Sequence, residues 1–258
     1  MIKKHLITCS VIFVLFIISK LFIYSVPDKK PLKNSGAILN FYAATKPASA
    51  KLNFAEEELP LHNKKVNRKI RYSIWKHTVR NTQSPELQEQ AEKWFPVIVP
   101  ILKMYGIPED FKYIPLLESG FSNKRKSPRG AAGMWQFMPQ TARAYGLKVS
   151  RRRDERYNVR KSTIAACKYI LELHDKFNSW TLAAAAYNAG SPRIMHAMNR
   201  KNKGNYFYMR LNRETSSYVY KLVAMKQVIN KAEEAKPAYA HYDALWAMLK
   251  PTENLTLN

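Results

Sequence analysis

Glu118 is the residue of this chain whose surroundings best suit acid–base chemistry, because it stands beside Leu116, Leu117 and Phe121. A free glutamate, with a reference pKa of about 4.3, is ionised at neutral pH and has no proton to give. Apolar neighbours disfavour the carboxylate and keep the acid protonated. Such an acid, held against a glycosidic oxygen, can assist its departure. By itself, however, a glutamate near a helix end is more often a solvent-facing residue, so its neighbours must carry the argument. Gly130, Ala131, Ala132 and Gly133 lead into Met134, Trp135, Gln136, Phe137 and Met138, and Ala186-Tyr187-Asn188 follows further on. Glycine-rich backbone lets a polymer approach closely. Trp135, Phe137 and Tyr187 can offer flat apolar faces to sugar rings, while Gln136 and Asn188 can bond hydroxyl and N-acetyl groups. Each has a plainer reading: Trp135 and Phe137 as core, Tyr187 as packing, Asn188 as a helix C-cap.

The elements that must position these residues are mostly helical. Asn63 to Arg80 spaces Val66, Ile70, Ile74 and Trp75 as an amphipathic helix does. Ser84-Pro85-Glu86 is a helix start, with Leu87, Ala91, Trp94 and Phe95 following on one face. Another start at Ile107-Pro108-Glu109-Asp110 carries Phe111, Ile114 and Leu117; Pro115 shortens or kinks it and Gly120 ends it. Ser162 to Phe177 is a helix with Ile164, Cys167, Ile170 and Leu171 on its buried side. Trp180 to Tyr187 is apolar nearly all round, as a central buried helix is. Val219 to Ile229 supplies a last one. Strand-like alternation is scarce, so the fold class is mainly α.

The ordered set ESGF, GAAGMWQFMPQTA and AAYNAG, followed by NRETSSYVYKLVA, resembles the soluble-lytic-transglycosylase (family 1) catalytic domain, related to goose-type lysozyme. YNVRKSTIAACKYILEL between them resembles the same family, closest to its membrane-bound D-type branch. The likeness runs from about Pro85 to Ile229. It implies the α+β lysozyme-like superfold, built as a single helical catalytic domain. It implies Glu118 as the catalytic residue, followed by Ser119, and a substrate-contacting serine at Ser127, nine positions beyond the glutamate. Gly133-Met134-Trp135-Gln136 stands where the family has Gly-Leu-Met-Gln, and Trp in place of Met is what the D-type branch looks like. Gln136, Met138, Tyr187 and Asn188 are the further substrate-binding positions. Glu214 is the acidic residue of the distal motif, expected to support the site rather than attack the sugar.

Hydrolytic glycosidases ordinarily need two carboxylates. Here Glu118 alone has motif support; Asp154 and Glu155 lie among Arg151, Arg152, Arg153 and Arg156, which suits local salt bridging. The resemblance implies a peptidoglycan lytic transglycosylase, in which the muramoyl C6 hydroxyl takes the place of water and a 1,6-anhydromuramoyl end results. The alternatives are a lysozyme-type muramidase hydrolysing the same bond, and a catalytically silent peptidoglycan-binding module. No cofactor or metal is expected.

The rest of the chain bears on where this chemistry happens. Lys3, Lys4 and His5 precede an apolar run from Leu6 to Val26, and about 20 such residues suffice to cross a bilayer. An anchor is favoured over a cleaved signal, since no small-x-small site precedes Pro27. Residues 27–60, rich in Pro, Lys, Ala and Ser, read as a flexible tether, 61–232 as the catalytic domain and 233–258 as a C-terminal tail. Leu245, Trp246 and Leu249 suggest a short docked helix within that tail. Export to the bacterial cell envelope follows, on the periplasmic or extracytoplasmic face. Cys9 and Cys167 cannot pair across this arrangement, and Cys167 reads as a free buried thiol. With 43 Lys and Arg against 19 Asp and Glu, the net charge is +24, which favours a polyanionic partner. No nucleic-acid motif accompanies it, so wall-peptide carboxylates or anionic lipid are the expected counterparts. The expected partners are peptidoglycan glycan strands and the membrane, with the protein a monomer.

Overall fold

An Ala-rich helix with no polar face must be surrounded, and the architecture is built around one. In this computed structural model, which describes residues 52–81 and 85–231, the order of elements is as follows. A hairpin of β1 (Asn53–Phe54) and β2 (Glu57–Glu58) precedes α1 (Lys64–Asn81), α2 (Pro85–Met104) and a 3-10 turn, Glu109–Tyr113. Then come α3 (Ile114–Ser119), α4 (Pro139–Ala144), α5 (Val159–Phe177), α6 (Trp180–Ala189) and α7 (Ser191–Ala197). The helix α8 occupies 215–231. The molecule is mostly helical, as its periodicity predicts.

At the centre, Ala183, Ala184, Ala185 and Ala186 of α6 are fully buried. The absence of side-chain bulk lets α5 lie close against α6, and α2 packs on the other flank of α5. Cys167 and Ile170 face that interface, and burial pushes the Cys167 thiol up to about 12, so it stays an inert S–H. Ile164, expected on the same buried side, is 37% exposed. The small residues Ala165 and Ala166 take the inward positions there. Helix α8 closes the core with Val219, Leu222, Val223, Met225 and Ile229. Helix α1 leans on it through Val66 and Ile70, and the Ser73 hydroxyl donates to the Tyr220 carbonyl.

The stretch 52–60 corrects the expected tether. Phe54 is fully buried against Phe111, with ring centroids 5.3 Å apart. The turn between β1 and β2 holds Ala55 and Glu56 at positive φ, 51° and 66°, the twist that a two-residue hairpin needs. The Ala55 N–H donates to Asp110, whose carboxylate also binds Lys226 of α8 at 2.7 Å. Glu57 then accepts from the backbone N–H groups of Trp180 and Thr181 and from the Ser179 hydroxyl. A carboxylate there satisfies donors at the start of α6 that the helix cannot. A stretch poor in periodicity thus caps the central helix. The proposed membrane segment at 1–26, most of the tether and the tail at 233–258 lie outside the described residues. Among the described residues, no helix is long and apolar enough to cross a membrane.

Candidate active site

Helix α3 is short for local reasons. Pro115 starts its first turn, and Gly120 ends it in the left-handed conformation (φ 65°), where its N–H returns to Leu116. Phe121 follows at φ 60° and is buried against Phe95. A non-glycine residue held there stores of order 1 kcal/mol of strain, which the aromatic packing offsets. Glu118 is therefore presented on the last turn of a helix that stops at once.

Its carboxylate meets α8. The Tyr218 hydroxyl donates to Glu118 Oε1 at 2.7 Å, across 100 residues of sequence. Burial raises the Glu118 pKa and is the largest influence; the Tyr218 hydrogen bond pulls the other way. The negative Glu214 raises it further, while Lys221 and Arg125 lower it; the net shift is upward. The group is thus held toward its protonated form, with a donor in place to receive it when ionised. Sequence alone does not distinguish Tyr218. It lies inside the distal motif, yet nothing in the spacing of SSYVY says which tyrosine meets the glutamate.

The remaining expected residues fall into two groups. Asn188, in the last turn of α6, donates from Nδ2 to Glu214 Oε1 at 3.1 Å. The helix itself ends beyond it at Gly190, so Asn188 is not its C-cap. Asn188 Oδ1 is buried and has no partner among the described residues, an acceptor aimed at a donor not supplied by the chain. Tyr187 donates its hydroxyl to the Trp135 carbonyl at 2.9 Å, and its own pKa is raised by burial first and then by Glu118. Glu118, Tyr218, Glu214, Asn188 and Tyr187 thus form one cluster carried by α3, α6, α8 and the turn that leads into α8.

The second group shapes the loop between α3 and α4. Ser127 accepts from the Ala131 N–H at 3.0 Å, closing a tight turn. Gln136, at φ 50°, donates from Nε2 to the carbonyls of Gly133 and Arg125. Met138, 43% exposed, stands immediately ahead of α4. Ser119 is not brought to an open face: it is buried and its hydroxyl bonds back to the Pro115 carbonyl. Trp135 and Phe137 are 1% and 3% exposed. They are core rather than sugar platforms, and Trp135 Nε1 is held by Thr163 at 2.9 Å.

Two further residues hold this loop: Gly133, which the glycine-rich motif marks in sequence, and Arg156, which sequence shows only as one of a run of arginines. Gly133 has φ 77°, and a Cβ there would lie 1.9 Å from the Arg156 carbonyl oxygen. Buried Arg156 fills its guanidinium with a two-point pair to Asp154 and with the carbonyls of Gly130 and Phe137. Glu155 pairs with Lys161 and Arg153, and the Lys161 hydrogen bond is the main reason that its carboxyl is lowered to about 2. Asp154 and Glu155 are therefore bracing groups with their charges satisfied.

Residues 98–209 match the transglycosylase SLT domain family. Membrane-bound lytic murein transglycosylase D of Escherichia coli is 31% identical over 172 residues, which are 65% of this chain and 38% of that protein. A putative tributyltin chloride resistance protein of an Alteromonas species is 32% identical over 153 residues, 58% of this chain and 74% of that protein. An inactive mutant of the lytic transglycosylase Slt from Pseudomonas aeruginosa aligns at 23% identity with a TM-score of 0.46, over 55% of this chain and 24% of that one. The chain spans well under half the length of the first of these relatives. The family match contains Glu118 and Asn188, and the Alteromonas relative is covered over most of its length. The chain belongs to the transglycosylase SLT domain family.

Proposed function

We propose that this chain is a peptidoglycan lytic transglycosylase that cleaves the β-1,4 bond between N-acetylmuramic acid and N-acetylglucosamine. The observation that carries the reading is Glu118, a carboxyl raised by burial and hydrogen-bonded by Tyr218. Protonated Glu118 gives its proton to the glycosidic oxygen as the C1–O bond breaks. The substrate's N-acetyl group stabilises the positive charge that develops at C1. Glu118, now a carboxylate steadied by Tyr218, takes the proton of the muramoyl C6 hydroxyl, and that oxygen closes on C1. The products are a free N-acetylglucosamine 4-hydroxyl and a 1,6-anhydromuramoyl end; no water is consumed and Glu118 regains its proton.

Asn188 suits the N-acetyl or hydroxyl groups of the strand, since its Oδ1 is an unfilled buried acceptor held in place through Glu214. Ser127, Gln136 and Met138, on the loop between α3 and α4, are the further residues that contact the strand, and Tyr187 ties that loop to α6 through the Trp135 carbonyl. The site of action is the cell envelope, with the apolar segment at 6–26 as the membrane anchor, and the working form is a monomer.

Mass spectrometry of muropeptides released from purified peptidoglycan tests this. The wild type should yield anhydro ends, and Glu118→Gln should lower their rate by about 10²–10⁴-fold. Reducing ends in their place would make the enzyme a muramidase. Binding without products would make it a wall-binding module.

A further inference from the structure

A second cleft adjoins the site and is not used by the chemistry above. It lies between α1 and the start of α8 and has a volume of ≈ 590 Å³. Lys69, Tyr72 and Lys76 line it from α1, and Arg213, Glu214 and Lys221 from the other side. Helix α1 falls outside residues 98–209, the part that the family match covers. Four cations thus face one carboxylate, and that carboxylate already accepts from Asn188. Among the described residues, no ion pair engages Lys69, Lys76, Arg213 or Lys221. Like charges in excess of their counter-charges raise one another's energy, and an anion relieves it. Burial, and then Lys65, lower the pKa of Lys69.

The wall of the cleft carries the sharper observation. Tyr220 is 3% exposed and lines the cleft, yet its hydroxyl has no partner among the described residues. Burial pushes it up to about 12, so it keeps its proton and remains a donor. A buried hydroxyl left without a partner is costly, and a ligand acceptor removes that cost. The Lys69 ammonium stands 5.6 Å from the centre of the same ring. Together these offer one neutral donor and several cations, which is what a carboxylate needs.

We propose that this cleft binds the carboxylates of the peptide stem carried by the glycan strand whose sugar lies at Glu118. The source of the ligand rests on the peptidoglycan reading; the cleft itself does not. Continuity favours the stem, because Glu214 lines the cleft and also accepts from Asn188, while Tyr220 and Lys221 line it from the same helix that carries Tyr218, the donor to Glu118. A polymer seated at Glu118 therefore brings its side branch to the cleft's edge. Tyr72, 59% exposed, supplies an apolar face for the peptide backbone.

Isothermal titration of the full chain with a free, carboxylate-bearing stem peptide and with its fully amidated form tests this. The acid form should bind and the amide form should not. Tyr220→Phe, which removes only the hydroxyl, and Lys69→Ala/Lys76→Ala should each weaken binding by about five- to tenfold. Both variants should process glycan chains stripped of their stems at the wild-type rate. Tyr220→Phe should also melt no lower than the wild type, which separates ligand binding from a structural role. Equal binding of the amidated peptide, or variants that bind as the wild type does, would overturn the assignment. So would loss of binding to phosphatidylglycerol vesicles alone, which would make this a lipid-facing surface. The titration needs no turnover, so absence of products from any glycan would sink the reaction and leave the cleft standing.

Discussion

Glu118 works under opposed influences, and their balance sets measurable limits. Activity as an acid needs the proton, so the rate should fall as pH rises through the raised Glu118 pKa. Tyr218 favours the ionised form, and removing its hydroxyl raises that pKa further. In Tyr218→Phe the alkaline limb of the pH–rate profile should therefore move to higher pH. The optimum rate should fall about tenfold, because the carboxylate formed in the first step loses a charge-assisted hydrogen bond. A limb moving to lower pH would show that Tyr218 does not act through Glu118. Stability follows the same linkage. A carboxyl raised in the folded state contributes stability below its unfolded pKa and loses it as pH rises through the folded value. Glutamine cannot ionise, so Glu118→Gln should raise Tm over the wild type at pH 8 and not at pH 4, as calorimetry would show.

At the scale of elements, the loop between α3 and α4 depends on two unlike devices. Gly133 allows the loop to lie against the Arg156 backbone, and Arg156 ties the loop carbonyls to α5's approach. Gly133→Ala meets both an unfavourable φ and a carbonyl oxygen inside contact distance. Urea denaturation should show a loss of about 3 kcal/mol or more. Activity should fall further than the folded fraction does, because Gln136 takes its position from this loop and Tyr187 donates to the loop's Trp135 carbonyl. The two-proline helix α2 is a different case. Pro96 and Pro100 lie inside it, where proline removes hydrogen bonds, and the helix persists because Ala91, Ile98, Ile101 and Leu102 are buried along it.

Over the whole molecule, the hairpin before α1 belongs to the fold. A chain beginning at Lys51 keeps Phe54 in the core and Glu57 on the start of α6, and one beginning at Asn63 loses both. The shorter chain should be less stable by about 3–5 kcal/mol, the effect of emptying a buried aromatic site; equal denaturation midpoints would refute this. The net charge of +24 acts at the same scale. Salt shortens the reach of exposed charges from about 10 Å at 0.1 M to about 3 Å at 1 M. Binding of the Glu118→Gln protein to purified sacculi should weaken severalfold over that range in a pull-down. Unchanged binding would assign the charge to some other purpose.

Much was legible in one dimension, for a physical reason. Helical periodicity and proline and glycine punctuation are local, so α1, α2, α5, α6 and α8 could be read within a few residues. The apolar setting of Glu118 is local too, written in Leu116, Leu117 and Phe121. Helices α4 and α7 leave no such signal, because each is a turn or two long and too short to show a period. What tertiary structure decided was every pairing between distant residues: Tyr218 with Glu118, Asn188 with Glu214, Glu57 with α6, Arg156 with the loop it braces. It also decided that Trp135 and Phe137 face inward and Ser119 folds back on its own helix. A residue's type sets which bonds it can make, but which partner stands opposite depends on how helices far apart in sequence pack.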